Sequence, residues 1–240
     1  MPLKTRIIPV LLWDSRGLCK PISFQRPGRF VGSLMSAAML YENRTCDELI
    51  LLDIDATPNN RPLRFKDVAQ FTSKLFCPLT IGGGVRTLED IRGLLNAGAD
   101  KVVIRSYASP RFIREASHKF GAQCITVAID YNWLTFEDAG MVLLKAKHME
   151  SCGAGEIILT HKGRDGTRKG YDLEVINLVC RSVGIPVIAN GGCSGPHDML
   201  RALDYGAHAV AASSIFLYEN ITPHDCKSYL DEAGIPVRIE

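Results

Sequence analysis

No apolar run in this 240-residue sequence approaches the roughly 20 residues that a membrane-crossing helix requires, so a soluble chain without membrane attachment is expected. The N-terminus, Met1-Pro2-Leu3-Lys4-Thr5-Arg6, leads straight into a strand-like run and lacks the apolar core of a signal peptide, which makes the cytosol the expected location. Neither sign of charge prevails. Lys and Arg total 28 against 26 Asp and Glu, a net charge of +2, which leaves no broad cationic field for nucleic acid. The eight cysteines, at positions 19, 46, 77, 124, 152, 180, 193 and 226, include no C-x-x-C pair and have no histidine at zinc-finger spacing. They are expected to be reduced and largely buried, with Cys193, directly behind a glycine pair, the best case for reactivity. His118, His148, His197, His208 and His224 lack cysteine or carboxylate partners at ligand spacing, so neither a metal nor another cofactor is expected. A hydrophobic content of 46% excludes disorder and supplies ample core.

What is present is an alternation. Short β-rich runs at 6–12, 48–53, 78–81, 101–104, 123–129, 156–160, 186–189 and 208–211 are separated by amphipathic stretches such as 87–97, 110–119, 172–182 and 197–205. Most of the strand candidates are almost continuously apolar, as expected when a parallel sheet is buried on both faces. Eight strand–helix units with no long linker, in a chain near the usual length of about 250 residues, predict a single (β/α)8 TIM barrel over residues 1–240.

An internal repeat supports that architecture. Pro78-Leu79-Thr80-Ile81-Gly82-Gly83-Gly84 aligns with Pro186-Val187-Ile188-Ala189-Asn190-Gly191-Gly192, and the register continues without a gap through Asp90/Asp198, Leu95/Leu203, Gly98-Ala99/Gly206-Ala207 and Ser106/Ser214. Glu48 and Glu156 keep the same spacing. Two half-barrels, roughly 1–120 and 121–240, account for it. Both copies place glycines where a parallel barrel builds its site, after the third and seventh predicted strands, and each ends its next strand in Arg105-Ser106 or Ser213-Ser214. Glycine lets backbone N–H groups approach a phosphate, and a following helix N-terminus favours negative charge. Gly83, Gly84, Arg105 and Ser106 form one candidate cradle; Asp165, Gly166, Gly191, Gly192, Ser213 and Ser214 form the other. A ligand phosphorylated at both ends would span them. The bland alternative is that the glycines only make tight turns.

These motifs carry a resemblance. Arg6-Ile7-Ile8-Pro9, Leu52-Asp53-Ile54-Asp55-Ala56, Gly82-Gly83-Gly84-Val85-Arg86-Thr87, Ala128-Ile129-Asp130, Gly153-Ala154-Gly155-Glu156-Ile157 and Arg164-Asp165-Gly166-Thr167 occur in the order of the cyclase subunit of imidazole glycerol phosphate synthase, which the chain resembles nearly end to end. The resemblance implies a half-barrel repeat with two phosphate sites, a glutaminase docked on the N-terminal face, and ammonia delivered through the barrel to a doubly phosphorylated ribulose-type substrate. It also implies two aspartates for the acid–base steps. One matches Asp130. The gapless match from Arg6 puts Leu12 at the other, and leucine carries no proton. Asp14, two residues on, replaces it only through a register shift that the match of Lys20 to a substrate-facing lysine of the family opposes.

Other positions diverge as well. The segments at 14–32 and 131–137 are shorter than the family's, Arg105 stands for an expected asparagine, Gly163 for an expected aspartate, and Trp13 adds an aromatic at the mouth. Asp53 and Asp165 are expected to contact polar groups of a substrate, and His161 is a candidate for facing it. The opposite end is intact: Arg6, Glu48, Lys101 and Glu156 match the four charged residues that gate ammonia in the family, although such a quartet also suits a structural plug of mutually neutralising charges.

This mixture resembles the cyclase-like branch associated with surface-polysaccharide gene clusters, which reads Leu-Leu after the first-strand proline, then Gly-Leu-x-Lys and Leu-Asp-Ile-Asp-Ala. Leu11-Leu12, Gly17-Leu18-Cys19-Lys20 and Leu52-Asp53-Ile54-Asp55-Ala56 match it. The branch implies a glutaminase partner and a separate sugar amidotransferase that installs an amidine on an N-acetylated sugar. Three readings follow: an ammonia-channelling subunit for that amidination, a true cyclase of histidine biosynthesis, or a non-catalytic scaffold that activates the glutaminase.

Overall fold

A computed structural model describes residues 4–132 and 135–239. The first strand, β1 (Arg6–Asp14), is followed by a hairpin, β2 (Gly17–Lys20) and β3 (Arg29–Gly32), and then by α1 (Leu34–Asn43). Seven further strand–helix units complete the chain: β4 (Leu49–Asp53) with α2 (Phe65–Thr72), β5 (Leu79–Gly82) with α3 (Leu88–Asn96), β6 (Lys101–Ile104) with α4 (Pro110–Phe120), β7 (Ile125–Tyr131) with α5 (Phe136–Ser151), β8 (Glu156–His161) with α6 (Leu173–Cys180), β9 (Val187–Asn190) with α7 (Pro196–Asp204), and β10 (Ala209–Ala212) with α8 (Ser214–Tyr218) and α9 (Pro223–Glu232). Each of β4–β10 pairs in parallel with the next, β1 pairs with β4, and β10 returns to β1 through Arg6↔Ala209 and Ile8↔Ala211. The sheet closes into an eight-stranded parallel barrel ringed by helices, the (β/α)8 fold.

Side-chain alternation sorts the strand residues into two apolar cores. Ile8, Val10, Leu12, Ile50, Val103, Ala128, Ile158, Ile188, Ala209 and Ala211 fill the barrel interior, while neighbours such as Ile7, Leu11, Leu51, Val127, Leu159 and Val210 pack outward against the helices. Burial of each large aliphatic side chain contributes about 1.5–3 kcal/mol, which is why runs apolar at every position stay in register here. The eight expected strands are all present, with ends moved by two residues at most.

The repeat has a local physical cause. Asp90 accepts the N–H groups of Arg86 and Thr87 at the start of α3, and its counterpart Asp198 accepts the N–H and hydroxyl of Ser194 ahead of α7. Both carboxylates satisfy donors at a helix N-terminus, where negative charge is favoured. The glycines hold tight turns of positive φ in both halves. At Gly83 φ is +102° and an added Cβ would lie 2.0 Å from the Asp53 carbonyl oxygen; at Gly191 φ is +90° and the nearest atom, the His161 carbonyl oxygen, would lie at 2.9 Å.

The segment at 14–32 is more ordered than a loop. The β2–β3 hairpin pairs antiparallel with the end of β1 (Leu12↔Cys19) and buries Leu18, Cys19 and Lys20. Positions 133 and 134 in the short segment after β7 lie outside the described residues. Among the described residues no helix is long and apolar enough to cross a membrane.

Candidate functional site

The C-terminal ends of the strands surround a cavity of about 280 Å³. Its floor is apolar, formed by Val10, Leu12, Ile50, Leu52, Val103, Ala128 and Ile158, and its rim carries Lys20, Asp53, Arg105, Asp130, Thr160, Asp165, Asn190 and Ser213. Such a vessel, apolar below and polar above, suits a small polar ligand held by its ends.

Asp130 and Leu12 stand on β7 and β1, four strands apart around the barrel, and both line the cavity. The Asp130 carboxylate accepts a hydrogen bond from Arg105 Nη1 at 2.8 Å. Burial pushes its carboxyl above the ordinary value, and the opposing pull of Arg105, Lys162 and Lys145 does not cancel that effect. Asp14 does not join Asp130 and Leu12. It is absent from the cavity lining, and its carboxylate accepts from the backbone N–H and the guanidinium of Arg16. Burial would raise the Asp14 carboxyl, but those hydrogen bonds outweigh it and hold it low.

Lys20 and Asp165 form a buried ion pair, Nζ to the two carboxylate oxygens at 2.9 and 3.0 Å, that ties the β2 strand to the β8–α6 loop across the two halves of the barrel. Asp53 accepts the N–H groups of Asp55 and Ala56 and an Arg61 guanidinium donor, so it shapes the β4–α2 turn while lining the cavity. The two cradles are unequal. Gly83, Gly84, Arg105 and Ser106 all face the cavity. Of the second set only Asp165 and Ser213 do. Gly191 and Gly192 pack against the backbone of His161 and Gly170, Gly166 against Pro21 and Ile22, and Ser214 is buried at the start of α8.

Neither His161 nor Cys193 lines the cavity. The alternation that turns Ile158 and Thr160 inward on β8 turns His161 outward, where it stacks on Tyr131 at 5.0 Å and accepts the Arg164 N–H through Nδ1. Burial pushes its pKa down. Cys193 is buried, and burial pushes its thiol up to about 12, the condition of an inert structural cysteine.

At the barrel floor the four charges close on one another. Arg6 reaches Glu48 at 2.6 Å and also Glu156, and Lys101 reaches both glutamates at 3.0 Å. Each cation touches both carboxylates, and the Thr80 hydroxyl donates to Glu48. Burial alone would raise Glu48, but Lys101 and Arg6 outweigh it and hold its carboxyl below the usual range; Glu156 and Glu48 in turn raise Arg6 against its own desolvation.

Residues 6–222 match a family described as histidine biosynthesis protein. The chain belongs to that family. It is 42% identical, over 98% of its length and 96% of the relative's, to the imidazole glycerol phosphate synthase subunit HisF of Endomicrobium trichonymphae. It is also 42% identical, over 99% of both chains, to a Campylobacter jejuni protein carrying the provisional name imidazole glycerol phosphate synthase subunit hisF2. The resemblance read from the motifs therefore holds: this is a HisF-like barrel.

Several lining residues of this HisF-like cavity escaped the motif reading. Thr160 and Asn190 face it from the ends of β8 and β9, two residues beyond the inward Ile158 and Ile188, so strand parity alone could have found them. Phe24 and Arg26 reach it from the segment between β2 and β3, for which no periodic signal exists. Among the described residues no cluster of His, Cys, Asp or Glu is suited to hold a metal ion.

Proposed function

We propose that this chain receives ammonia at its floor from a glutaminase docked on the N-terminal face, and passes it through the barrel in support of amidination of an N-acetylated sugar in surface-polysaccharide synthesis. A separate amidotransferase performs the sugar chemistry, and the chain itself closes little or no imidazole. One observation carries this reading: Leu12 lines the cavity four strands from Asp130, while the ring of Arg6, Glu48, Lys101 and Glu156 is complete. A positioned acid or base typically supplies roughly 10²–10⁴ in rate, and an isobutyl group supplies none. Support for the sugar branch comes from Leu11-Leu12, Gly17-Leu18-Cys19-Lys20 and Leu52-Asp53-Ile54-Asp55-Ala56. The Gly83–Gly84 and Arg105–Ser106 cradle favours a phosphorylated ligand at the mouth.

A second reading, a cyclase of histidine biosynthesis, is favoured by 42% identity over nearly the full length to a HisF subunit and by the half-buried Asp130 carboxyl, whose raised pKa suits a proton donor. The two separate on ammonium-dependent turnover of the doubly phosphorylated ribulosyl substrate by the purified chain, beside Leu12→Asp. A third, the scaffold, separates on Glu48→Ala and Lys101→Ala. If these variants weaken glutaminase binding but never nitrogen transfer, the conduit loses its basis and the scaffold stands.

A further inference from the structure

Between the ion-pair ring and the cavity floor stands a hydroxyl that packing does not explain. Thr126, the second residue of β7, points into the barrel, because Ala128 and Asp130 at two and four residues beyond line the cavity. It is fully buried, and its Oγ1 has no hydrogen-bond partner among the described residues. Across β8 it is level with Glu156 of the ring, and across β6 with Val103 of the cavity floor. It therefore marks the step from one to the other. The interior around that step is apolar, with Ile8, Ile188, Ala209 and Ala211. Valine has the shape of threonine without the hydroxyl and suits a strand as well, whereas a buried hydroxyl left unbonded is destabilising. Thr80, the nearby inward hydroxyl on β5, donates to Glu48; Thr126 donates to nothing described.

We propose that the Thr126 hydroxyl is a transfer site for ammonia on its way from the ring to the cavity, an inference that rests on the conduit reading above. A hydroxyl offers one donor and two acceptor lone pairs, and ammonia offers one acceptor and three donors, so the two are complementary. The apolar wall selects the neutral molecule over ammonium, because a further cation without its own carboxylate is strongly disfavoured there, the glutamates of the ring being already engaged by Arg6 and Lys101. Thr126 acts here as a positioning residue. No bond is made or broken at it.

The test soaks crystals of the full chain in hydroxylamine near neutral pH, where this two-atom ammonia analogue is uncharged and distinguishable from water by shape. The expected result is elongated density within hydrogen-bond distance of Thr126 Oγ1, retained in Thr126→Ser and lost in Thr126→Val. Only a single water in the unaltered chain, or the same density in Thr126→Val, overturns the proposal. In the glutaminase complex, Thr126→Val is expected to lower delivery of glutamine-derived nitrogen by about tenfold, one hydrogen bond's worth, with glutaminase binding unchanged. Delivery unaffected by Thr126→Val removes the transfer site and leaves the conduit. Hydroxylamine at Thr126 in a chain that couples to no glutaminase removes the conduit and leaves the site.

Discussion

Neutralising one carboxylate of the ring, Glu48→Gln, tests whether the floor is held by mutual charge. Glu48 is 2% exposed at its side chain, whereas its partners Arg6 and Lys101 are 26% and 21% exposed. A fully buried pair that loses one member costs about 3–5 kcal/mol, and an exposed pair at most about 1. Because both cations keep some water and both keep Glu156, a loss of about 2–3 kcal/mol is expected. For a chain of this size that lowers the thermal midpoint by about 4–12 °C. The pH dependence is the sharper readout. The Glu48 carboxyl is held below its ordinary value in the fold, so its contribution is complete above the unfolded value of about 4.3 and is lost as the pH falls through the native one. Urea denaturation at pH 7 and across the acid range is the assay. Glu48→Gln should be less stable at pH 7 and should converge on the unaltered chain in acid. A cost under about 0.5 kcal/mol at pH 7, or parallel pH profiles, would refute a charge-bound ring.

Three further outcomes follow from the mouth. Gly83→Ala forces a Cβ to within 2.0 Å of the Asp53 carbonyl at positive φ and should cost about 2–5 kcal/mol, more than Gly191→Ala, whose closest contact is 2.9 Å; equal denaturation midpoints would contradict the difference. Arg105→Ala removes the hydrogen bond that partly offsets burial of Asp130, so its carboxyl should titrate higher still in carbon-detected NMR, and a downward shift would rule the pairing out. Cys193, with its thiol pushed up to about 12, should alkylate at pH 8 at least about 10³-fold more slowly than a small-molecule thiol until the chain unfolds; ready labelling in the native state would show that it is not buried.

The barrel was legible in the sequence because its strands are buried on both faces, which leaves runs such as Leu49-Ile50-Leu51-Leu52 and Val187-Ile188-Ala189 apolar throughout. The β2–β3 hairpin was not, since Gly17–Lys20 and Arg29–Gly32 are four-residue strands that owe their conformation to pairing with β1 rather than to any pattern of their own. At the site, glycines and single carboxylates announced themselves, but their partners did not. Lys20 with Asp165 and Arg105 with Asp130 are separated by 145 and 25 positions, so only the closed barrel joins them. The outward turn of His161 was readable, because it follows the inward Thr160 by one residue. Thr126 gave no signal, for a threonine in a strand is ordinary until the fold places it where none of the described residues bonds it.

The substitution of Leu12 for a proton carrier is the claim on which the functional account turns. Its most direct test is ammonium-dependent formation of imidazole product from the doubly phosphorylated ribulosyl substrate by the unaltered chain, with Leu12→Asp in parallel. The account predicts no turnover by the unaltered chain above background, with any recovery in Leu12→Asp confined to the roughly 10²–10⁴ that one acid or base supplies. Robust turnover by the unaltered chain that Leu12→Asp leaves unchanged would contradict it and make this barrel a cyclase.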